Sequence, residues 1–297
     1  MDGVVNIYKE KGISSFSVVR SVRRIFNTKK CGHTGTLDPL AEGVLPVCLG
    51  YATKLADYMM ALDKEYVAQF RLGEARDSYD TDGDITAENR DIKPSKEEVE
   101  AVLKTFIGDV ELTVPAYSAV KINGVRAYDL ARKGEIEDAG SRVMSITDIE
   151  LMDYSYPDGL FRMKCRKGTY VRSVIHEAGL KLGCYGVMSG LIRTVNGRFT
   201  QAAAYKLGDL ESMKEEGRLE EALIPVDRAL GWAKAVVRDE AVKLVKNGVS
   251  VKRHNYISVP DTEDAHVFLT DGKGELLAFA EQSGLADQPF IIVKLLV

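Results

Sequence analysis

Residues 31–46 of the chain read CGHTGTLDPLAEGVLP, and the interpretation of the whole sequence starts from this stretch. It holds three glycines and two prolines in sixteen residues, which is typical of a loop. Glycine permits a positive φ angle and the close approach of another backbone. Pro39 disfavours the α region for the residue before it, so the Asp38 carboxylate is expected on extended or turned backbone. The stretch therefore predicts a loop that holds one short carboxylate in a fixed place.

A second interpretation of Asp38 stays open at this point. An aspartate followed by a proline is also a common helix start, with the aspartate as N-cap and Pro39 at the first helical position. The two interpretations are compatible, because the same aspartate can cap a helix and lie in a functional loop.

The composition describes a globular protein. The chain has 297 residues, of which 45% are hydrophobic and 28% charged, and this length favours one large domain and one small one. The four cysteines are scattered without a C-x-x-C pair, which predicts neither a disulfide framework nor a zinc site. The N-terminal residues lack the pattern of a signal peptide, and no apolar run is long enough to cross a membrane. We therefore expect a cytoplasmic protein.

Charge is distributed unevenly along the chain. The formal net charge of −4 alone argues against a nucleic-acid-binding protein. However, residues 11–37 carry six basic and no acidic residues, residues 160–198 carry eight basic and one acidic, and residues 73–111 carry twelve acidic and five basic. Such segregation fits one polyanion-binding face and an acidic back. The alternative is that these runs are ordinary solvated faces of helices.

Capping signals and apolar spacing predict helices. Either Ser14 or Ser15 can cap a helix that follows a short first strand. Ser95 and Glu98 form a capping box for a helix that Gly108 closes. Further helical patterns cover residues 49–62, 175–182, 207–222 and 239–246.

Alternating side chains predict strands. Residues 64–72 alternate with Tyr66 on the apolar face, and residues 161–167 alternate with a basic outward face, as in an antiparallel strand that is wet on one side. In the last 65 or so residues, one helix is followed by short apolar runs at Val267–Leu269, Leu276–Ala280 and Phe290–Val297. This arrangement fits a small β-barrel.

Residues 31–46 resemble the catalytic loop of the TruB family of tRNA pseudouridine synthases, in which GHTGxLDPxAxGxLP surrounds the catalytic aspartate. Every fixed position of that pattern is present. Four further segments, 77–83, 115–134, 167–173 and 190–199, resemble motifs of the same family in the same order. One departure is Ile192, which replaces an arginine of the last motif.

The resemblance implies that the chain isomerises uridine 55 in the T loop of tRNA to pseudouridine. The bond between C1′ and N1 is broken and C1′ is joined to C5, so nothing is added or lost and no cofactor or metal is implied. Asp38 would be the nucleophile, as carboxylates are at the sugar carbon in glycosidases. Whether it attacks C1′ or C6, or promotes a glycal intermediate, stays open.

The resemblance also assigns the other residues of the site. Arg172 would lie beside Asp38 and favour its charged form, the alternative being a helix cap or a surface arginine. Tyr66 would stack on the target base and take part in removing the C5 proton, unless it is an ordinary core tyrosine. The substrate-binding candidates are His33, Leu191, Tyr170, Lys9, Lys121 and Arg193.

Two of these candidates have defined expected contacts. Flipping a base out of a folded loop costs roughly a few kcal/mol, and His33 would fill the gap that the base leaves. Lys9 flanks a glycine turn and is expected to contact phosphate. Leu191 would be a wall of the pocket or plain core.

The fold implied by the resemblance is an α/β (α+β) pseudouridine synthase fold. A mixed, largely antiparallel sheet flanked by helices would occupy residues 1–232, and a small PUA-like, RNA-binding β-barrel would occupy residues 233–297. The partner would be the T arm of tRNA, bound by a monomer without a membrane, a guide RNA or a protein partner. The alternatives are a guide-RNA-dependent relative of archaea and eukaryotes, and a non-enzymatic RNA-folding protein.

Overall fold

The computed structural model describes residues 1–136 and 138–296, which form one large sheet, one small sheet and the helices around them. The larger part contains β1 (Gly3–Lys9), α1 (Ser15–Ile25), β2 (Cys31–His33), β3 (Glu42–Leu49), α2 (Ala56–Met60), β4 (Lys64–Leu72), β5 (Glu74–Arg76), β6 (Ile85–Glu88), α3 (Lys96–Lys104), β7 (Gly108–Pro115), β8 (Lys121–Ile122), β9 (Val125–Arg126), α4 (Ala127–Ala131), β10 (Asp138–Ser155), β11 (Asp158–Cys165), α5 (Val171–Lys181), β12 (Gly186–Asn196), β13 (Phe199–Thr200), α6 (Leu207–Glu215) and α7 (Val226–Leu230). The C-terminal part contains β14 (Lys234–Val237), α8 (Asp239–Lys246), β15 (Tyr256–Ser258), β16 (His266–Thr270), β17 (Leu276–Gln282) and β18 (Phe290–Leu295).

The large sheet is mixed and largely antiparallel, as predicted. Its strands follow the order β1-β3-β12-β4-β11-β10-β7, with β2 paired to β3 and β13 paired to β12. Among the strand pairings that the described residues form in this sheet, only that of β12 with β3 is parallel. Strand β12 therefore lies between β3, which follows the catalytic loop, and β4, which carries Tyr66.

The connection around Asp38 is shorter than predicted. Strand β2 ends at His33 and β3 begins at Glu42, so the irregular part covers residues 34–41. The two sides of the loop belong to the sheet because β3 pairs with both β1 and β2. No helix begins at Asp38, and the interpretation of this residue as a helix cap is wrong.

The predicted helices are present, with some differences in their ends. Ser14 caps α1, its side chain accepting a hydrogen bond from Ser17 N, and the capping box of Ser95 and Glu98 begins α3. Helix α3 ends at Lys104, earlier than predicted, because Gly108 already begins β7. The pattern at 49–62 forms a 3-10 turn followed by α2. No helix among the described residues combines the length and the apolar character that a membrane span requires.

The basic outward face predicted for residues 161–167 is paired with acidic residues along β11. Arg162 lies within 3.5 Å of Glu65, Asp148 and Glu150, and Lys164 lies 3.8 Å from Glu65. The neighbouring strands place these carboxylates opposite the basic residues in register. The basic residues of this strand therefore balance local acids.

A small C-terminal unit is present, as predicted. Its sheet follows the order β15-β14-β16-β17-β18, with β14 parallel to β16. Closure of this sheet into a PUA-like barrel and a domain boundary at residue 232 stay predictions. Val297, the end of one predicted apolar run, lies outside the described residues.

The two sheets share a hydrophobic core. Phe268 and Phe279 of the small sheet are buried in the same cluster as Val44 of β3 and Leu55 and Met59 of the 49–62 segment. The 49–62 segment packs with residues of both sheets. The C-terminal unit therefore contacts the 49–62 segment and shares a hydrophobic cluster with the strand that follows the loop.

Candidate active site

Asp38 lies beside Arg172. Oδ2 of Asp38 is 3.0 Å from Nη2 of Arg172, and the aspartate side chain is 36% exposed whereas that of the arginine is 5% exposed. The predicted proximity is confirmed, and the alternative of a capping or surface arginine is wrong. The carboxylate thus faces open space on one side and a buried cation on the other.

Several groups fix the Arg172 guanidinium. Arg172 is in the first turn of α5, and it donates from Nη1 to the carbonyl of Ser78 at 2.8 Å and from Nη2 to the carbonyl of Tyr117 at 2.9 Å. Nη1 also lies 3.7 Å from Oδ2 of Asp80. A buried charge needs such partners to offset its lost hydration. These partners hold the planar guanidinium group in one orientation toward Asp38.

Asp80 is a site residue that the sequence interpretation missed. It is 5% exposed, and burial raises the pKa of its carboxyl, while the Ser78 hydroxyl and the Arg172 charge work against that rise. Ser78 Oγ donates to its Oδ1 at 2.7 Å. The acidic loop 77–84 was the available signal, but only the folded structure shows that one of its acids meets Arg172.

Tyr66 and Arg193 face each other in register across β4 and β12. Tyr66 is 8% exposed, and burial raises the pKa of its phenol, an effect that the nearby Arg193 opposes. Arg193 is 1% exposed and donates to the carbonyls of Val44 at 2.7 Å and Gly35 at 3.1 Å. It thus ties both sides of the catalytic loop to the central strand, and contact of this residue with substrate stays a prediction.

The prediction that Lys9 contacts phosphate is wrong. Its side chain is fully buried, and its ammonium donates to the carbonyls of Ala41 and Pro39. The reason is the register of β1, which places Lys9 opposite Gly43, where the catalytic loop returns to the sheet. Burial lowers the pKa of Lys9 to about 8. Lys9 therefore stabilises the catalytic loop through hydrogen bonds to its backbone from the buried side.

A cavity of about 460 Å³ opens above Asp38. Its volume is in the range of pockets that hold small molecules or single nucleosides. The predicted residues Tyr66, Arg172, Leu191 and Tyr170 line it together with Asp38. A larger concavity of about 750 Å³ lies where the two sheets meet and is lined by none of the predicted site residues.

Four cations that were not predicted as site residues also line this cavity, and one of them is the buried Lys64. Arg142, Arg166 and Lys167 are exposed, and none of them forms an ion pair with a carboxylate of the described residues. Segment 115–134 contributes Ser118 and Ala119 to the lining. The cavity thus combines one carboxylate with an excess of positive charge.

Besides Lys9, two predicted residues, Lys121 and His33, lie outside the lining of this cavity. Lys121 is exposed on β8, and His33 is half-buried in β2, where its Nδ1 accepts a hydrogen bond from Gly35 N at 3.3 Å. Burial, with a smaller contribution from Arg193, lowers the pKa of His33 below its ordinary value of 6.5. This shift favours the neutral imidazole. Insertion of His33 into an RNA loop stays a prediction.

Comparison with known proteins agrees with this geometry. Residues 23–171 match the family model described as TruB family pseudouridylate synthase, N-terminal domain. Residues 172–231 match the model described as tRNA pseudouridylate synthase B C-terminal domain.

Relatives match over the full length of the chain. A protein named tRNA pseudouridine synthase B from Clostridium acetobutylicum is 41% identical over 299 aligned residues that cover 100% of both chains, and its namesake from Clostridium tetani is 40% identical with the same coverage. Among solved structures, a Cbf5-Nop10-Gar1 complex contains a chain with a TM-score of 0.75 and 29% identity, which covers 99% of this chain and 85% of that chain. The fold is therefore that of the pseudouridine synthases, and the chain belongs to the TruB family of pseudouridylate synthases.

Proposed function

We propose that this TruB-family enzyme isomerises uridine 55 in the T loop of tRNA to pseudouridine, with Asp38 as the nucleophile and without a cofactor. The observation that carries the proposal is the Asp38–Arg172 pair, whose aspartate is exposed to a cavity of about 460 Å³. Full-length relatives named tRNA pseudouridine synthase B support the choice of tRNA as substrate.

The shape and charge of the cavity fit an extruded nucleotide. Removing a base from its stack costs roughly a few kcal/mol, and apolar and aromatic contacts with Leu191 and Tyr66 would offset part of that cost. Arg142, Arg166 and Lys167 line the same cavity and would bind the phosphates on either side of the extruded nucleotide. The base would therefore lie inside the cavity, and the ribose-phosphate backbone would lie along its basic rim.

The reaction requires one bond to be exchanged. The Asp38 carboxylate forms a bond to the nucleotide that is broken again before the product leaves. The C1′–N1 bond breaks with its electron pair on the uracil, the uracil rotates within the cavity, and C1′ bonds to C5. The C5 proton passes to solvent, and N1 takes up a proton from solvent. Arg172 keeps the Asp38 carboxylate oriented as it approaches the nucleotide, and it offers a positive charge beside the anion that develops. The buried phenol of Tyr66 retains its own proton. It therefore acts as a hydrogen-bond donor to the base, or it orients a water molecule that accepts the C5 proton.

The enzyme is proposed to act as a monomer without guide RNA or protein partners. The similar Cbf5 chain was solved with Nop10 and Gar1, and the relatives at 40–41% identity carry the name of a tRNA enzyme over their whole length. The greater identity and the matching length favour action on tRNA alone.

A tritium-release assay tests the proposal. Purified protein is mixed with a tRNA transcript that carries C5-tritiated uridine, and one tritium per tRNA should be released, with the product mapped to position 55. Asp38→Asn should slow release by more than about 1,000-fold while the Kd for tRNA changes little. Asp57→Asn, an exposed aspartate of α2, is the matched control.

Three results would contradict the proposal. Full turnover by Asp38→Asn would remove Asp38 as the nucleophile. Tight tRNA binding by the wild-type protein without any release would favour the RNA-folding alternative. Release that depends on added guide RNA would place the chain with the guide-dependent relatives.

A further inference from the structure

The outer face of α1 carries a group of residues that the proposed function does not use. Four basic side chains surround a surface concavity of about 520 Å³ together with Asn27 and Thr28. We define the α1 strip as Phe16, Arg20, Arg23, Arg24 and Lys29, all of which are exposed. None of them lines the cavity that contains Asp38.

The strip combines an aromatic ring with arginines. Phe16 is 65% exposed, and the Arg20 guanidinium lies 5.2 Å from the centroid of its ring. A single exposed apolar side chain needs no explanation. An exposed ring beside several arginines, however, matches the composition of surfaces that stack nucleic-acid bases and follow their backbone.

The positive charge of the strip is largely uncompensated within the protein. Arg24 pairs with Glu211 of α6 at 2.8 Å. Arg20, Arg23 and Lys29 form no ion pair with a carboxylate in residues 1–136 or 138–296. Neighbouring like charges on a helix repel one another, and a polyanion bound along this face would relieve that repulsion.

Helix α1 is fixed directly to the catalytic loop. The Ser15 hydroxyl donates to the carbonyl of Leu37 at 2.9 Å and accepts from its backbone N–H at 2.8 Å. The strip therefore begins next to the residue that precedes Asp38. Since a helix rises 1.5 Å per residue, Arg24 lies about 12 Å along the axis from Phe16, and a strip of this length passes several phosphates of a duplex.

We propose that the α1 strip binds the ribose-phosphate backbone of the substrate RNA outside the stem-loop that carries the target uridine. The cations that line the cavity are placed for the nucleotides next to the target, whereas the strip is a separate concavity anchored to the same loop. The inference rests on the proposed function because the ligand is the same RNA. It implies that an intact tRNA binds more tightly than its isolated T-arm stem-loop.

Equilibrium binding of two RNAs tests the strip. Arg20→Ala/Arg23→Ala and the control Lys96→Ala/Lys104→Ala, which removes two exposed cations from α3, are made in an Asp38→Asn background so that no product forms. With whole tRNA, the strip variant should raise Kd about tenfold and reduce the slope of log K against log salt by about 2, since each phosphate contact contributes about 0.9 in duplex DNA. With the isolated stem-loop, Kd should change less than twofold.

The control separates a local contact from net charge. Both variants remove two positive charges, so equal weakening by the two would overturn the proposal, as would an unchanged Kd for whole tRNA or an equal loss with the stem-loop. The strip arginines are exposed, and thermal melting verifies that the variants fold. Tritium release by the wild-type protein reports on the proposed function separately from these binding measurements.

Discussion

Three buried cations hold the catalytic loop from different sides. Arg172 contacts the Asp38 carboxylate itself, whereas Lys9 and Arg193 donate to carbonyls of the loop and of β3. A buried cation without partners would destabilise the fold by several kcal/mol. The position of the loop is therefore set by charge–dipole contacts as much as by apolar packing.

Tyr66 gives a prediction for the pH dependence of turnover. Burial raises the pKa of its phenol above the ordinary value of 10, so the phenol stays protonated at every pH below 9. Tyr66→Phe should lower the rate of tritium release by about 10- to 100-fold, the size expected when one buried hydrogen-bond donor is lost. The rate profiles of wild type and variant should nevertheless have the same shape between pH 6 and about 9.

A titration that is lost in the variant would contradict this prediction. If the wild-type rate rises with an apparent pKa below about 9 and Tyr66→Phe abolishes that rise, the phenol ionises in the working range. Tyr8→Phe is a suitable control, because the Tyr8 hydroxyl bonds Glu42 at 2.9 Å and does not line the cavity.

At the scale of single residues, the sequence predicts which residues belong to the site better than it predicts the groups that each residue contacts. The motifs correctly placed Arg172 next to Asp38, and Tyr66 and Leu191 in the same cavity. Lys9 was misinterpreted because a lysine beside a glycine turn is typically exposed, and only the pairing of β1 with β3 shows that it points inward. Asp80 was missed for the same reason, since its partner is 92 positions away in the chain.

Among the elements, the turn from loop to strand at Gly43 is the most constrained. Its φ is +104°, and a Cβ at this position would collide with the backbone of Arg193. The parallel pairing of β12 with β3 brings the two backbones this close. Only glycine satisfies both conditions, which explains this part of the sixteen-residue stretch.

Alanine substitutions at Gly43 and at Gly32 test how much this constraint contributes to stability. Gly43→Ala should lower the free energy of unfolding by about 3 kcal/mol, from the strained φ and the steric overlap, and should reduce tritium release. Gly32→Ala meets open space without a positive φ and should change stability by less than about 0.5 kcal/mol. Urea unfolding of both variants measures the difference, and a Gly43→Ala protein as stable as wild type would contradict it.

Local signals were sufficient for the starts of α1 and α3, but they did not predict α4 and α7 or which strands become neighbours. Ser14 and the Ser95 capping box identified helix starts because those interactions span only three residues. The basic outward face of residues 161–167 was predicted from alternation that is visible in the sequence, but alternation does not show which acids lie beside that face. The carboxylates that neutralise it come from β4 and β10. No local sequence pattern predicts that these strands pair with β11.

On the scale of the whole molecule, the two sheets are joined by an aromatic cluster. The Trp232 ring lies 5.5 Å from Tyr58 of α2 and 5.1 Å from Phe279 of β17, measured between centroids. Lys54 and Lys294 add hydrogen bonds between the two parts. Composition suggested a large and a small domain, but it could not show that they share a core.

We therefore expect both parts to unfold together. Trp232→Ala should destabilise the protein by about 3 kcal/mol and lower the midpoint of a single calorimetric transition that covers both sheets. Leu244→Ala, which truncates an exposed leucine of α8, should have an effect below about 0.5 kcal/mol. Two separate transitions, of which Trp232→Ala shifts only one, would show that the parts unfold independently.

The contacts of Arg193 have a further consequence. Its donors reach both sides of the catalytic loop from β12, an inner strand of the large sheet, so the two ends of the loop cannot move without disturbing that sheet. The hydrogen-bonded amides of Thr34, Leu37 and Ala41 should then exchange with solvent nearly as slowly as those of the sheet itself. The conformational entropy cost of positioning Asp38 is therefore part of folding. The site is already ordered when a nucleotide binds.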